Sequence, residues 1–235
     1  MSNNLQKFAQ SSTRGALIVL EGVDRSGKST QAQKLINALT SAGYPALLVT
    51  FPNRTTPIGQ ILNRYLTKEI DLEDHAVHLL FSANRWEQEP FIRQKIQEGF
   101  TVIIDRYVFS GIAFSCANET MSFYWCKQSD VGLPKPDAVF FLQVNLEITT
   151  NRSDFGQERF DNLDIQEKVL KCYYHLIKNC LINWIVKDAS LEVNILHQQI
   201  KTKVEEIIQQ VQYTPLDILW DFSTNKIITD TDNIQ

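Results

Sequence analysis

The chain has 235 residues, 43% of them hydrophobic and 21% charged, and carries a formal net charge of −4 from 23 basic and 27 acidic side chains. These are ordinary globular values, and the length suits one large domain whose core needs no covalent staples. The acidic balance argues against a broad nucleic-acid-binding surface but leaves a local basic cleft open.

Residues 1–14, MSNNLQKFAQSSTR, are polar and have no apolar h-region, so they read as a disordered tail without a secretory signal. Short, continuous, β-branched runs then alternate with helical patterns. The runs are Ala16 to Leu20, Ala46 to Phe51, Thr101 to Ile104, Ala138 to Val144, and a weaker Trp184 to Val186. Runs of that kind are strands covered on both faces. Ala32, Leu35, Ile36 and Leu39 fall at i, i+3, i+4 and i+7, with Gly43 as the stop. Asp74 to Glu98 reads as one helical region that Pro90 bends or divides, with Gly99 ending it. Val169, Tyr173, Ile177 and Leu181 repeat the helical spacing, as do Ile200, Val204, Ile207, Ile208 and Val211. After Val211 the periodicity is lost; Leu216, Ile218, Leu219 and Trp220 are expected to dock on the domain, and residues 221–235 to fray. No window approaches about 18 uninterrupted apolar residues, so no transmembrane helix and no membrane association are expected.

Strands alternating with helices specify a parallel, doubly wound sheet. The expected architecture is α/β: a three-layer α/β/α domain over residues 15–220 with a five-stranded parallel sheet. Ligands then belong beyond the carboxyl ends of the strands. Three segments fall there: the loop after the first strand, Phe51-Pro52-Asn53-Arg54, and Asp105-Arg106-Tyr107. Four cysteines, Cys116, Cys126, Cys172 and Cys180, form no C-x-x-C pair and meet no histidine at zinc-ligand spacing, which points to reduced thiols in a cytosolic or nuclear setting. His75 and His78 stand at i and i+3, a spacing open to metal, but their apolar neighbours favour a packing or surface role.

The loop after the first strand is the most specific signal. Gly22-Val23-Asp24-Arg25-Ser26-Gly27-Lys28-Ser29, followed by Thr30, fits G-x-x-x-x-G-K-[ST] between a buried strand and a helix. Such a P-loop turns several backbone N–H groups toward one polyphosphate, with Lys28 adding a full charge and the Ser29 hydroxyl able to hold Mg2+. The motif alone covers GTPases, motor ATPases and small-molecule kinases. A guanine-reading N-K-x-D is missing, since the one Asn-Lys pair, Asn225-Lys226, continues into Ile227-Ile228. The third strand ends in Asp105-Arg106, with an arginine where a motor or helicase carries its catalytic glutamate. That departure favours transfer onto an anionic acceptor over transfer onto water. A solvated surface position for Arg25, Arg54 or Arg106, a capping role for Asp24 and a buried structural role for Asp105 stay open at this point.

The segment Leu20 to Gln31 resembles the P-loop of eukaryotic-type thymidylate kinases, a family with members in large DNA viruses. Phe51-Pro52-x-Arg54, Leu79 to Glu87 (LLFSANRWE), Asp105-Arg106-Tyr107-x-x-Ser110-Gly111-x-Ala113-Phe114, and Trp125 to Asp137 are similar too, in order and spacing across Arg14 to Trp220. The resemblance implies an ATP- and Mg2+-dependent kinase of dTMP, acting as a homodimer. An alternative acceptor such as dUMP, or a non-catalytic nucleotide-binding module, is the competing expectation.

The resemblance also implies roles. Lys28, Arg25 and Arg106 would stabilise the phosphoryl group in transit, and Ser29 and Asp105 would hold the metal. Asp24 would bond the sugar 3′-hydroxyl, and Arg54 and Arg106 the acceptor phosphate. Phe81 would stack on thymine and Arg85 bond its carbonyl, although a Phe at helical spacing taken by itself is a core residue. Phe114 would pack near the sugar C2′, with core packing as the alternative, and Gln166 near the sugar; Phe51, Ser110 and Gly111 complete the acceptor set. Residues 151–161 read as a mobile lid whose Arg152 and Arg159 reach ATP, and Asp188 and Ser190 would border the adenine. Two departures stand out: Phe160 replaces an expected tyrosine, and Asn53 replaces a common glutamate.

Overall fold

In the computed structural model, which describes residues 13–118, 120–150 and 158–220, the five apolar runs become five strands: β1 (Leu17–Glu21), β2 (Ala46–Thr50), β3 (Thr101–Asp105), β4 (Ala138–Gln143) and β5 (Trp184–Asp188). All neighbours pair in parallel, in the order β2-β3-β1-β4-β5. β1, β3 and β4 hold the centre, and their apolar residues from Leu17 to Leu20, Val102 to Ile104 and Ala138 to Leu142 are fully buried. Continuous burial of this kind requires helices on both faces. Helix α1 (Lys28–Ser41) crosses from β1 to β2 and packs with α9 (Val193–Val211); α5 (Val108–Cys116) packs with α8 (Leu163–Asn179) and α3 (Asp74–Trp86).

Each strand ends one or two residues from where its apolar run predicts, and two of these ends bear on the site. β1 runs on to Glu21 and β3 to Asp105, so each closes on a carboxylate that is itself buried. Sequence patterns stop at the last apolar residue, whereas the ladder continues as long as the acid finds hydrogen-bond donors. The helical region from Asp74 divides, as Pro90 suggests, into α3 and α4 (Glu89–Gln97), with the proline in the first turn where its missing N–H costs nothing. Leu181 departs more clearly. Helix α8 ends at Asn179, and Leu181 is 86% exposed instead of lying on the buried face.

Four helices go beyond the sequence expectations, three of them for want of a readable period. In α5 the sequence VFSGIAFSC is apolar all round, because the helix is enclosed between α3 and α8. Helices α6 (Phe123–Gln128) and α7 (Leu146–Thr150) are too short for periodicity to register. Helix α2 (Pro57–Leu66) carried a usable signal, Thr56 capping Gly59 N–H with Pro57 at the first helical position.

Both ends of the described chain are fastened. Arg14, expected in the free tail, donates to both carboxylate oxygens of Asp137 at 2.7 and 2.8 Å, and its backbone N–H bonds Gln212. Leu219 exchanges backbone hydrogen bonds with Gly132 and Leu133 and is fully buried, so the expected docking of residues 216–220 occurs. Residues 1–12 and 221–235 lie outside the described residues. No helix among the described residues is long and apolar enough to cross a membrane.

Helix α2 approaches the turn after β2 closely. A Cβ placed on Gly59 would lie 1.8 Å from the carbonyl oxygen of Asn53, which only a backbone shift relieves. Gly59→Ala is expected to cost about 1–3 kcal/mol through this overpacking, seen in calorimetry as a Tm several degrees lower. An unchanged Tm would mean that the turn yields freely.

Candidate functional site

The P-loop between β1 and α1 is bent by backbone conformations that most side chains avoid. Gly22 has φ 147°, and a Cβ there would meet the Leu142 carbonyl and Ser26 Oγ at 2.8 Å. Gly27 has φ 97° and leaves the α1 N-terminus uncapped by any side chain. Arg25 is also left-handed, at φ 58°. Uncapped N–H groups and the helix dipole make this turn an anion site. Lys28 lies buried beneath it, its Nζ donating to Val23 O at 2.6 Å and to Ser26 Oγ at 3.3 Å. Burial, and after it the positive charge of Arg106, pull the Lys28 pKa down to about 7, against the opposing pull of Asp24, Asp105 and Glu21. Thr30, the last residue of the predicted donor set, is exposed on the first turn of α1.

Ser29 Oγ donates to Asp105 Oδ2 at 2.5 Å, joining the helix start to the end of β3. Asp105 Oδ1 is buried without a hydrogen-bond partner. An orphaned carboxylate oxygen beside a hydroxyl, at the mouth of a polyphosphate loop, fits a hard divalent cation. Among the described residues no group of three or more His, Cys, Asp or Glu could hold a metal. A cation here would therefore ride chiefly on phosphate oxygens.

Arg106 follows β3 at φ 67°. Its Nη2 donates to Asp24 Oδ1 in a short ion pair, and its guanidinium lies 5.5 Å from the Phe114 ring centroid. Burial disfavours its charge, but Asp24, Tyr173, Asp105 and Glu21 outweigh that and raise its pKa. Asp24 also accepts from Gln166 Nε2 at 2.6 Å, while Gln166 Oε1 accepts from Asp24 N–H at 2.9 Å.

A cleft opens in front of this pair. It gathers Asp24, Phe51, Arg54, Phe81, Arg85, Arg106, Ser110, Gly111 and Phe114, which come from four separate stretches of chain. Of the residues expected around the acceptor, only Gln166 is outside it; Gln166 bridges Asp24 and the Phe160 carbonyl instead. Arg85 is 2% exposed and paired by Nε and Nη2 with the fully buried Asp130, at 2.9 and 2.6 Å. Gly111 leaves room for it, since a Cβ there would lie 2.9 Å from the guanidinium. Ser110 is buried, and its hydroxyl is engaged by Glu21 and Tyr173. Arg54 is half exposed, bonded to Asn63 and to Glu158. The turn that carries it is held by Asn84, which accepts from Asn53 N–H and donates to Asn53 O.

The donor-side residues fare differently. Arg25 pairs with Asp161 at 2.5 and 3.1 Å. Asp188 and Ser190 bond each other beside a second depression at the ends of β4 and β5, where Asn145 and Tyr174 also lie. Burial plays no part in lowering the Asp188 pKa; its hydrogen bonds from Ser190 do that. Arg152 and residues 151–157 of the expected lid lie outside the described residues. Arg159 does not face the P-loop. It donates to Tyr65 O in the last turn of α2 and to Ile70 O just beyond it. His78 bonds Ser115 Oγ and Cys126 O, and burial, then Arg85, lower its pKa; it is a packed helix-to-helix link.

Glu21 and Asp130 are the functional residues that motif reading passed over. Fully buried, Glu21 accepts from Tyr107 N–H, Ser110 N–H, Ser110 Oγ and Tyr173 Oη at 2.5–3.0 Å, so it clamps the start of α5 directly after Arg106. A carboxylate ending an apolar strand was the available signal; its donors come from residues 86 to 152 positions away.

The family model described as thymidylate kinase matches residues 20–200. The thymidylate kinase of Homo sapiens is 53% identical over 207 residues, covering 88% of this chain and 98% of that relative. That of Schizosaccharomyces pombe is 47% identical, covering 83% and 93%. A putative thymidylate kinase of Invertebrate iridescent virus 6 is 43% identical, covering 86% and 93%. Among solved structures, the thymidylate kinase of Candida albicans superimposes with a TM-score of 0.74 at 35% identity, covering 88% of this chain and 99% of that one.

Removing Glu21 strands the Tyr107 and Ser110 N–H groups in the interior and leaves Ser110 Oγ and Tyr173 Oη with each other. Glu21→Ala is expected to cost about 3 kcal/mol or more, and Glu21→Gln, which retains one oxygen acceptor, distinctly less. Equal Tm values for the two variants in thermal melts would show that the clamp does not depend on these hydrogen bonds.

Proposed function

The chain belongs to the thymidylate kinase family, and on that premise we propose that it transfers the γ-phosphoryl group of ATP to dTMP, giving ADP and dTDP. The observation that carries the reading is the Asp24–Arg106 pair at the meeting of P-loop and acceptor cleft. Two anions must be brought into line here, and the acceptor monoester is mostly a dianion at neutral pH, so no strong general base is needed. Catalysis then rests on positioning and positive charge.

Gly22 to Thr30 cradle the donor phosphates, with Lys28 beneath them. Arg54 and Arg106 bind the acceptor phosphate, and Arg25 acts on the group in transit. Asp24 receives the sugar 3′-hydroxyl while holding Arg106 through its other contacts. Phe81, Phe51 and Phe114 enclose the base and sugar; Phe114 leaves a ribose 2′-hydroxyl crowded and unpaired. The Arg85 edge left over from Asp130 bonds the base. Ser29 and Asp105 hold Mg2+, which when bound offsets phosphate charge. Gln166 serves by fixing Asp24, and Asp188 and Ser190 border the adenine. The unit is one domain over the described span, working in the cytosol or nucleus on the evidence of its cysteine usage. Exposed Leu79, Trp86 and Phe91 on α3 and α4 support a homodimer.

A coupled ADP-release assay with dTMP, dUMP, dCMP, dGMP and thymidine tests the reading: dTMP is the preferred acceptor and thymidine inert. Turnover of thymidine without turnover of dTMP would overturn it.

The depressed Lys28 pKa adds a pH test. At about pH 8 the free protein holds Lys28 largely neutral, and triphosphate charge restores the ammonium, so ATP binding takes up a proton. Calorimetry in buffers of different ionisation enthalpy should read an uptake approaching about one proton there. Lys28→Arg, which cannot lose its charge, should abolish it. No uptake in the unaltered protein would exclude this role for Lys28.

A further inference from the structure

Arg159 stands on the segment expected to close over ATP, yet among the described residues its hydrogen bonds fall on the acceptor side. Its backbone N–H donates to Leu66 O at 2.9 Å. Its Nε donates to Tyr65 O at 2.9 Å, and its Nη2 to Ile70 O at 3.0 Å and Asp71 Oδ1 at 2.6 Å. The guanidinium plane lies 4.2 Å from the centroid of the Tyr65 ring. Two carbonyls in the last turn of α2 and one just beyond it are thus bonded by one residue, which also stacks on a nearly buried aromatic ring.

The two neighbours of Arg159 line the acceptor cleft. Glu158 bonds Arg54 at 2.7 Å. Phe160 packs edge-on against Phe114 at 5.2 Å and tilted against Tyr65 at 6.3 Å. Tyr65, Glu158 and Phe160 all belong to the cleft wall. Where Arg159 is held decides where these two side chains sit. Phe160 has no hydroxyl to anchor itself, so its position rests on ring packing and on the residue before it.

On this basis we infer that Arg159 is a positioning residue for the acceptor: it latches residues 158–160 to the end of α2 and so completes the wall that binds the nucleoside monophosphate. The inference rests on the acceptor assigned under the proposed function. It reverses the expectation that Arg159 reaches ATP. The latch is directional, since four of its acceptors lie within residues 65–71.

Steady-state kinetics of the full chain separate the two roles. Arg159→Ala is expected to raise the KM for dTMP about tenfold while the KM for ATP stays within about twofold. Arg159→Lys keeps a cation over Tyr65 but loses the fork, and should recover part of the loss. Asp71→Ala removes an exposed side chain that cannot unfold the protein, and should shift the dTMP KM by about two- to threefold in the same direction. If Arg159→Ala fails to fold, the other two variants carry the test. A rise in the ATP KM alone, or no change in either KM, overturns the inference. Absence of dTMP turnover in the unaltered protein overturns the proposed function and this inference with it; turnover with unmoved KM values overturns only the latch.

Discussion

Lys28 and Arg106 share a buried space at the carboxyl ends of β1 and β3, and two like charges there repel strongly enough to help bring Lys28 down to about 7. Everything around them answers that constraint. Asp24, Glu21 and Asp105 raise the cations' proton affinity from three directions. The carboxylates are in turn engaged: Asp24 by Arg106 and Gln166, Glu21 by the start of α5 and Tyr173, and Asp105 by Ser29 through one of its two oxygens. Charges buried without such partners would destabilise the fold or simply neutralise. The arrangement keeps Arg106 charged and Lys28 poised to take up a proton when the anions arrive.

The same balance recurs around the acceptor cleft, with differing strengths. Arg85 and Asp130 are fully enclosed, so losing one partner would leave an uncompensated buried charge. Arg54 and Glu158 are each 42% exposed, a pairing worth little in water. A phosphate can therefore take Arg54 from Glu158 easily, whereas Arg85 keeps Asp130 and offers only its remaining edge. Arg25 and Asp161 tie the P-loop to residues 158–161, and Arg159 ties that segment to α2. The donor loop and the acceptor wall are thus mechanically joined through residues 158–161.

Individual residues show how far the sequence reached. The strand–loop–helix from Leu17 to Ser41, the division near Pro90 and the α9 stripe ending at Val211 were legible, because periodicity and punctuation are local properties. Phe51, Arg54, Phe81, Arg85, Arg106 and Phe114 were legible through their motifs, and one cleft does gather them. Arg159 was read as facing ATP, and Gln166 as facing the sugar. Both are polar residues near a lid, and nothing within a few positions of either states which carbonyls or carboxylates will lie opposite. Helix α5 escaped because enclosure on all sides erases the amphipathic pattern that reveals a helix.

By itself the sequence determined that a polyphosphate loop follows a buried strand, that the sheet is parallel, and that arginines and aspartates gather at one rim. Those are consequences of short-range rules: glycines at the bends, apolar runs of strand length, charged residues at strand ends. Only the tertiary structure decided how the charges pair. Arg106 meets Asp24 from 82 positions away, Arg85 meets Asp130 from 45, and Arg159 meets Asp71 from 88. Which carboxylate neutralises which cation depends on distance and burial, and neither quantity exists until the chain has folded.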